Sequence, residues 1–306
     1  MAAAGKRKAT ALDTLPPIAG GAMVVSMVMY PADVVRALCM SQPGLGAGAA
    51  LKGFLEVHGV MGFVKQGLVA EVIRASTSRG IKFFFQPICH QTFFGKPETQ
   101  GNPVTKGLAG SLATFPEVVA ISPLENIKLA AQLDKDKKFN GNADIAKHLI
   151  RTRGVFGGLF IGYFGMQCRQ CLWTGGFFLT LDAFKDGLKS TGVFTNNLAV
   201  DVIGGFGAGA FGTAVNCWTD VCRSVIQKQA VADTFNPEIK APSALEHFMP
   251  GAFFGQAAKI YGAKGMAGLY AGVGPKMVHL GGSGALLAVL MPRFKTMWFD
   301  MNGIAY

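Results

Sequence analysis

Three heptapeptides set a carboxylate and a cation at one fixed offset. They are Tyr30-Pro31-Ala32-Asp33-Val34-Val35-Arg36, Ser122-Pro123-Leu124-Glu125-Asn126-Ile127-Lys128 and Cys217-Trp218-Thr219-Asp220-Val221-Cys222-Arg223. In each, the acid follows a proline or tryptophan by two residues and precedes a base by three. Their anchors, Pro31, Pro123 and Trp218, lie 92 and 95 residues apart. On a helix, residues at i and i+3 share a face. One such pair on a surface is worth about 0–1 kcal/mol. Three at regular spacing, each closing an apolar run, point to a shared structure. A proline bends a helix, so three bent ends can converge, and the acid of one module can meet the base of the next.

A second group of candidates is cationic or polar residues inside otherwise apolar segments. Arg74, Arg79 and Lys82 form one set, Arg169 and Gln170 another, and Lys276 with His279 a third. Polar groups at such positions mark a substrate pathway near the middle of a membrane. Cations contributed by several helices suit an anionic substrate, because a carboxylate pairs with them and offsets desolvation. Arg79 and Lys82 also admit a snorkelling arrangement. His279 reads either as a ligand or as a packed polar residue, and Trp173 more readily as packing than as substrate stacking.

The elements that must carry these residues recur in the same order. A Gly-rich apolar run precedes each heptapeptide, at 18–29, 107–121 and 202–215. A polar stretch follows and ends in a glycine-aromatic phrase, opening at Gly59, Gly154 and Gly265. A second apolar segment then spans 69–94, 166–184 and 276–298. Six apolar segments in three pairs result, and repeats of this kind decide the architecture. The composition agrees. Only 15% of the 306 residues are charged and 50% are hydrophobic, with 41 glycines, against about 25% charged in soluble domains. Backbone satisfaction in lipid favours helices over open strands. The expected fold is an all-α membrane protein of six transmembrane helices in three pseudo-symmetric repeats, each a helix, a short helix and a second helix. The expected divisions are an N-terminal tail at 1–16 and repeats at 17–100, 101–192 and 193–306.

Other chemistry is weakly supported. The net charge of +11 suits anionic lipid, an anionic substrate or nucleic acid, but no zinc-finger spacing, RNP-like motif or long basic tract favours the last. Cys168 and Cys171 form a CxxC without a second pair or histidine cluster, and read as small helix residues. Gly281-Gly282-Ser283-Gly284 lacks the Lys-Ser/Thr of a phosphate loop. No nucleophile, metal or nucleotide constellation accompanies the repeat, so neither an enzyme nor a metal or organic cofactor is expected.

The heptapeptides resemble the signature of the mitochondrial carrier family, Pro-x-[Asp/Glu]-x-x-[Lys/Arg] at the end of each odd-numbered helix, and the resemblance covers about 17–298. It implies a matrix-side ring pairing Asp33 with Lys128, Glu125 with Arg223, and Asp220 with Arg36. Gln132 and Gln227 match the family's bracing glutamine, and Met40 does not. Trp218 replaces the third proline. Of the cytoplasmic-side pairs on the even helices, only Asp182 and Lys185 remain. Pro87 and His90 stand at the second-helix positions, and Met291 and Phe294 at the sixth. Within the family, the phrases Ala70-Glu71, Arg79-Gly80-Ile81-Lys82, Phe139-Asn140-Gly141, Arg169-Gln170 and Pro275-Lys276-Met277-Val278-His279 are most similar to 2-oxodicarboxylate carriers, with citrate carriers next.

The resemblance implies alternating-access exchange of 2-oxo- or tricarboxylates at Arg79, Lys82, Arg169, Gln170, His279 and Lys276. It also implies residence in the mitochondrial inner membrane, termini toward the intermembrane space, and cardiolipin as a bound lipid. The lost outer pairs, Trp218 and His279 motivate an alternative: a carrier-derived, non-transporting subunit of a larger respiratory or ATP synthase complex.

Overall fold

The computed structural model describes residues 7–41, 46–63, 68–133, 139, 141–194, 196–236 and 243–305. Its helices, in chain order, are α1 (Leu15–Ser41), α2 (Ala47–His58), α3 (Met61–Phe63), α4 (Val69–Phe94), α5 (Pro103–Leu112) and α6 (Thr114–Leu133). There follow α7 (Asn142–Leu159), α8 (Tyr163–Ser190), α9 (Asn197–Ala232), α10 (Pro250–Leu269) and α11 (Val273–Met301). The second apolar segments read from sequence are α4, α8 and α11.

Among the described residues, four spans are long and apolar enough to cross a membrane: Leu12–Arg36, Pro103–Ala131, Asn197–Phe235 and Val273–Met301. Helices α4 and α8, at 26 and 28 residues, match them in length. They carry Arg74, Arg79 and Lys82, and Arg169, Asp182 and Lys185, and so fall short on composition alone. These are the helices that supply most of the candidate site.

The threefold repeat is written in the backbone. Gly59 ends α2 at φ 61°, and Gly154 and Gly265 break α7 and α10 at φ 72° and 60°. Their ψ values of −175°, 176° and −157° place all three in a region open essentially to glycine alone. The glycine-aromatic phrases therefore recur because each short helix must turn sharply there. Prolines lie inside α1 (Pro31) and α6 (Pro123), whereas α9 continues for 36 residues through Trp218.

The chain forms two compact units. The first comprises Met1–Ala113, Trp173–Ala214 and Gly272–Tyr306. Within it α1 packs against α4 and α11, and α4 against α5. Helices α9 and α11 meet along glycines: a Cβ at Gly205 would stand 2.7 Å from the Gly284 carbonyl oxygen, and one at Gly284 2.5 Å from that of Gly205. Such backbone approach is how apolar helices gain contact where lipid offers no hydrophobic drive. At one end of this unit Arg7–Lys8 pairs in parallel with Ile304–Ala305, so part of the expected tail is tied down. The second unit comprises Thr114–Leu172 and Val215–Ala271. Its core gathers Ala130, Ile145, Leu149, Ile161 and Val231, with Trp218, Cys222, Phe253 and Leu269 in a separate cluster.

Candidate functional site

Four of the six expected substrate residues belong to the first unit. Arg79 of α4 donates through Nη1 to Ser26 Oγ at 2.5 Å and to the Ala22 carbonyl at 3.4 Å, both on α1. One turn on, Lys82 is 4% exposed, with Nζ 5.3 Å from the Trp173 ring centroid. That cation–π contact replaces part of the lost hydration. Trp173 in turn stacks on Phe177, the rings 5.4 Å apart and 9° from parallel. On α11, Lys276 is 1% exposed and His279 8%. His279 Nδ1 lies 3.5 Å from Asp33 Oδ1, the oxygen that Arg36 Nη2 approaches to 2.5 Å. Asp33 thus pairs within its own helix, with the His279 ring of α11 close by.

Arg169 and Gln170 belong to the second unit. Arg169 Nε is 3.6 Å from Asp220 Oδ1, and its carbonyl accepts from Asn216 Nδ2 at 3.4 Å. Gln170 Nε2 donates to Glu117 Oε1. Glu117, in the first turn of α6, is fully buried. Sequence reasoning passed over it; a lone carboxylate inside an apolar run was the available signal.

Of the expected inner ring, Glu125 and Arg223 fall in the same unit and pair at 2.6 Å. Arg223 Nε also lies 3.5 Å from Asp220 Oδ1. Asp33, Arg36 and Lys128 are divided between the units. Gln227 donates to Asn126 Oδ1 at 3.3 Å and to the Ile161 carbonyl at 3.0 Å. It fastens α9 to α6, beside Glu125, and to the turn before α8. The side chains of Gln132, Met40, Ala70 and Glu71, and Asn140 as a whole, lie outside the described residues.

Toward the C-terminal end of α8, its surviving charges bond to odd-numbered spans. Asp182 accepts from Lys106 of α5 at 2.5 Å, and Lys185 lies 2.8 Å from Asp201 of α9. His90 Nε2 is 3.0 Å from Thr105 Oγ1, and its Nδ1 2.7 Å from the Lys96 carbonyl oxygen. Lys106 and Asp201 were not singled out from sequence. Each stands one turn into an apolar helix, which is a usable signal, but neither shares an offset with its partner.

A family model described as mitochondrial carrier protein matches residues 18–97, 99–192 and 194–302. The chain is 29% identical to a probable mitochondrial 2-oxodicarboxylate carrier of Dictyostelium discoideum, over 89% of this chain and 87% of that one. It is 27% identical to mitochondrial 2-oxodicarboxylate carrier 2 of Saccharomyces cerevisiae, over 90% of each. It is also 27% identical to mitochondrial citrate transporter D of Aspergillus niger, over 94% of each.

Proposed function

We propose that this chain, which belongs to the mitochondrial carrier family, exchanges small carboxylates across the inner membrane by alternating access, with 2-oxodicarboxylates and tricarboxylates as the substrate class. The observation that carries this reading is the burial of cations within spanning helices. Lys82 and Lys276 are almost fully enclosed, with Arg79 and His279 in the same unit. Such groups are costly in a membrane and are kept for function, and a carboxylate substrate is the counter-charge that suits them. The 2-oxodicarboxylate and citrate carriers to which the chain is similar belong to the same substrate class.

In this reading Arg79, Lys82, Arg169, Gln170, His279 and Lys276 bind the substrate. Asp33–Lys128, Glu125–Arg223 and Asp220–Arg36 close the matrix side, braced by Gln132 and Gln227. The termini face the intermembrane space and cardiolipin is a bound lipid. Substrate supplies the differential binding energy that opens one side as the other closes. The test is uptake of labelled oxoglutarate or oxoadipate into liposomes holding the purified protein and an internal carboxylate. Uptake above protein-free vesicles supports the reading. Its absence, while a known carrier works in parallel, overturns it.

A second reading, a non-transporting subunit of a larger inner-membrane complex, is favoured by one observation. Asp182 and Lys185 are committed to Lys106 and Asp201, and Met291 and Phe294 occupy the sixth-helix positions expected to hold charge. Stoichiometric copurification with respiratory or ATP synthase subunits after mild detergent extraction would favour it, and isolation as a lone chain would count against it.

A further inference from the structure

We infer that an apolar layer seals the terminus-bearing end of the first unit, in place of the charged pairs this chain lacks. The layer centres on Trp173, Phe177 and Phe178 of α8, with Leu287 and Met291 of α11. These side chains form one buried cluster with Ile18, Ala22 and Val25 of α1. Phe83 of α4 completes it, its ring 5.6 Å from that of Phe178 in an edge-to-face contact. Helices α1 and α8 lie far apart in sequence and in different repeats, yet their side chains share this cluster. The space between helices is therefore filled here by hydrocarbon.

Charged residues flank the layer on both sides. Along α11, Lys276 and His279 precede Leu287 and Met291, and Lys295 follows. At 1.5 Å per residue, Leu287 lies about 12 Å beyond His279, and Lys295 about 12 Å further on. Along α8, Trp173 carries the Lys82 contact, Phe177 follows one turn later, and Lys185 stands two turns beyond that. A cavity of about 270 Å³ adjoins the layer on the Lys185 and Lys295 side, floored by Phe177, Phe178, Leu287 and Met291. Along α11 the cationic residues and this cavity are thus parted by about two helical turns of apolar side chains. Along α8, by contrast, Trp173, which carries the Lys82 contact, stands one turn from Phe177, and on α4 Phe83, next to Lys82, already lines the cavity.

The residues at the expected pair positions explain the substitution. A Cβ on Gly21 would meet Met291 Sδ at 3.2 Å, and one on Gly20 the Phe294 ring at 3.3 Å. The α1 glycines thus make room for both side chains. Asp182 and Lys185 hold α8 to the neighbouring spans α5 and α9, so these charges fix the flanks and the rings close the middle. Burial of five large side chains is non-directional and needs no ionised partner. Calling the layer a gate presumes the carrier activity proposed above; the seal itself does not.

The seal is tested by thiol labelling in intact mitochondria expressing the full chain with its native cysteines replaced. Ser283→Cys places a thiol one turn before Leu287, at a residue 1% exposed. A membrane-impermeant maleimide applied outside should label it slowly, and at least about five-fold faster when Phe177→Ala is added. Phe177→Leu should keep it protected, and Met291→Ala serves as the second opening variant if Phe177→Ala does not accumulate. Lys106→Ala and Asp201→Ala should change the rate less than two-fold. Equal labelling with and without the apolar truncations overturns the inference, as does an increase on ion-pair removal matching that of Phe177→Ala. Labelling needs no substrate, so a failed transport assay leaves this result standing on its own.

Discussion

Arg223 of α9 reaches Glu125 of α6 at 2.6 Å, joining the heptapeptides of the second and third repeats. Both side chains are only 13% exposed, and removing one partner of a buried pair typically costs about 3–5 kcal/mol. Arg223→Ala or Glu125→Ala should therefore lower the thermal midpoint and cut exchange at least about ten-fold. The double reversal Glu125→Arg with Arg223→Glu should recover most of that loss. If the reversal is no better than either single change, the pair does not act as a bridge.

Two glycine substitutions, one in the α9–α11 seam and one outside it, should have opposite outcomes. At Gly205 a methyl would meet the Gly284 carbonyl at 2.7 Å, and such overpacking costs about 1–3 kcal/mol. At Gly187, inside α8, a Cβ meets nothing within 4 Å, so Gly187→Ala should stabilise by about 0.5–1 kcal/mol through helix entropy. Thermal unfolding in one detergent compares them. Equal effects would mean that the seam is looser than described.

His247 predicts a pH dependence of stability. It lies in the short turn before α10 and is 6% exposed. Burial, and then the neighbouring Arg153 guanidinium, push its ring below the ordinary histidine value, with Glu246 and the Gly157 backbone opposing. The unfolded chain takes up a proton near pH 6.5, while the folded chain does so only at lower pH. Stability is therefore lost as pH falls below about 6.5 and is unaffected by this group above it. Unfolding midpoints should drop between pH 7.5 and 5.5, and His247→Gln should remove part of the drop. An unchanged drop in the variant would assign it to other groups.

Glu117 predicts a functional loss out of scale with any local one. Its carboxylate holds Gln170, one of the expected substrate residues. Glu117→Gln keeps the shape and removes the acceptor-only character that orients the Gln170 amide. Exchange should fall at least about ten-fold, while the protein still purifies as a monodisperse species. Undiminished exchange would make Glu117 a packing residue.

What could be read from sequence follows from which interactions have a fixed chain offset. The heptapeptides announced the repeats because acid, base and proline recur at constant spacing, and Gly59, Gly154 and Gly265 recur because a positive φ at each break demands glycine. Glu125–Arg223 was legible for the same reason. Lys106–Asp182 and Lys185–Asp201 were not, because their partners come from different helices without a repeating interval. The closeness of His279 to Asp33 depends on how α1 and α11 are rotated against each other, which composition does not specify. Likewise the apolar layer consists of residues that each look like ordinary lipid-facing or packing positions. Only their convergence distinguishes them.

The most direct measurement is counter-exchange in liposomes, comparing the wild-type chain with Arg169→Ala. Vesicles loaded with oxoglutarate should take up labelled oxoadipate or oxoglutarate with the wild-type protein. Uptake should be far slower in empty vesicles and fall to background with Arg169→Ala. Uptake by neither protein, or equal uptake by both, would contradict a carboxylate carrier that uses this site.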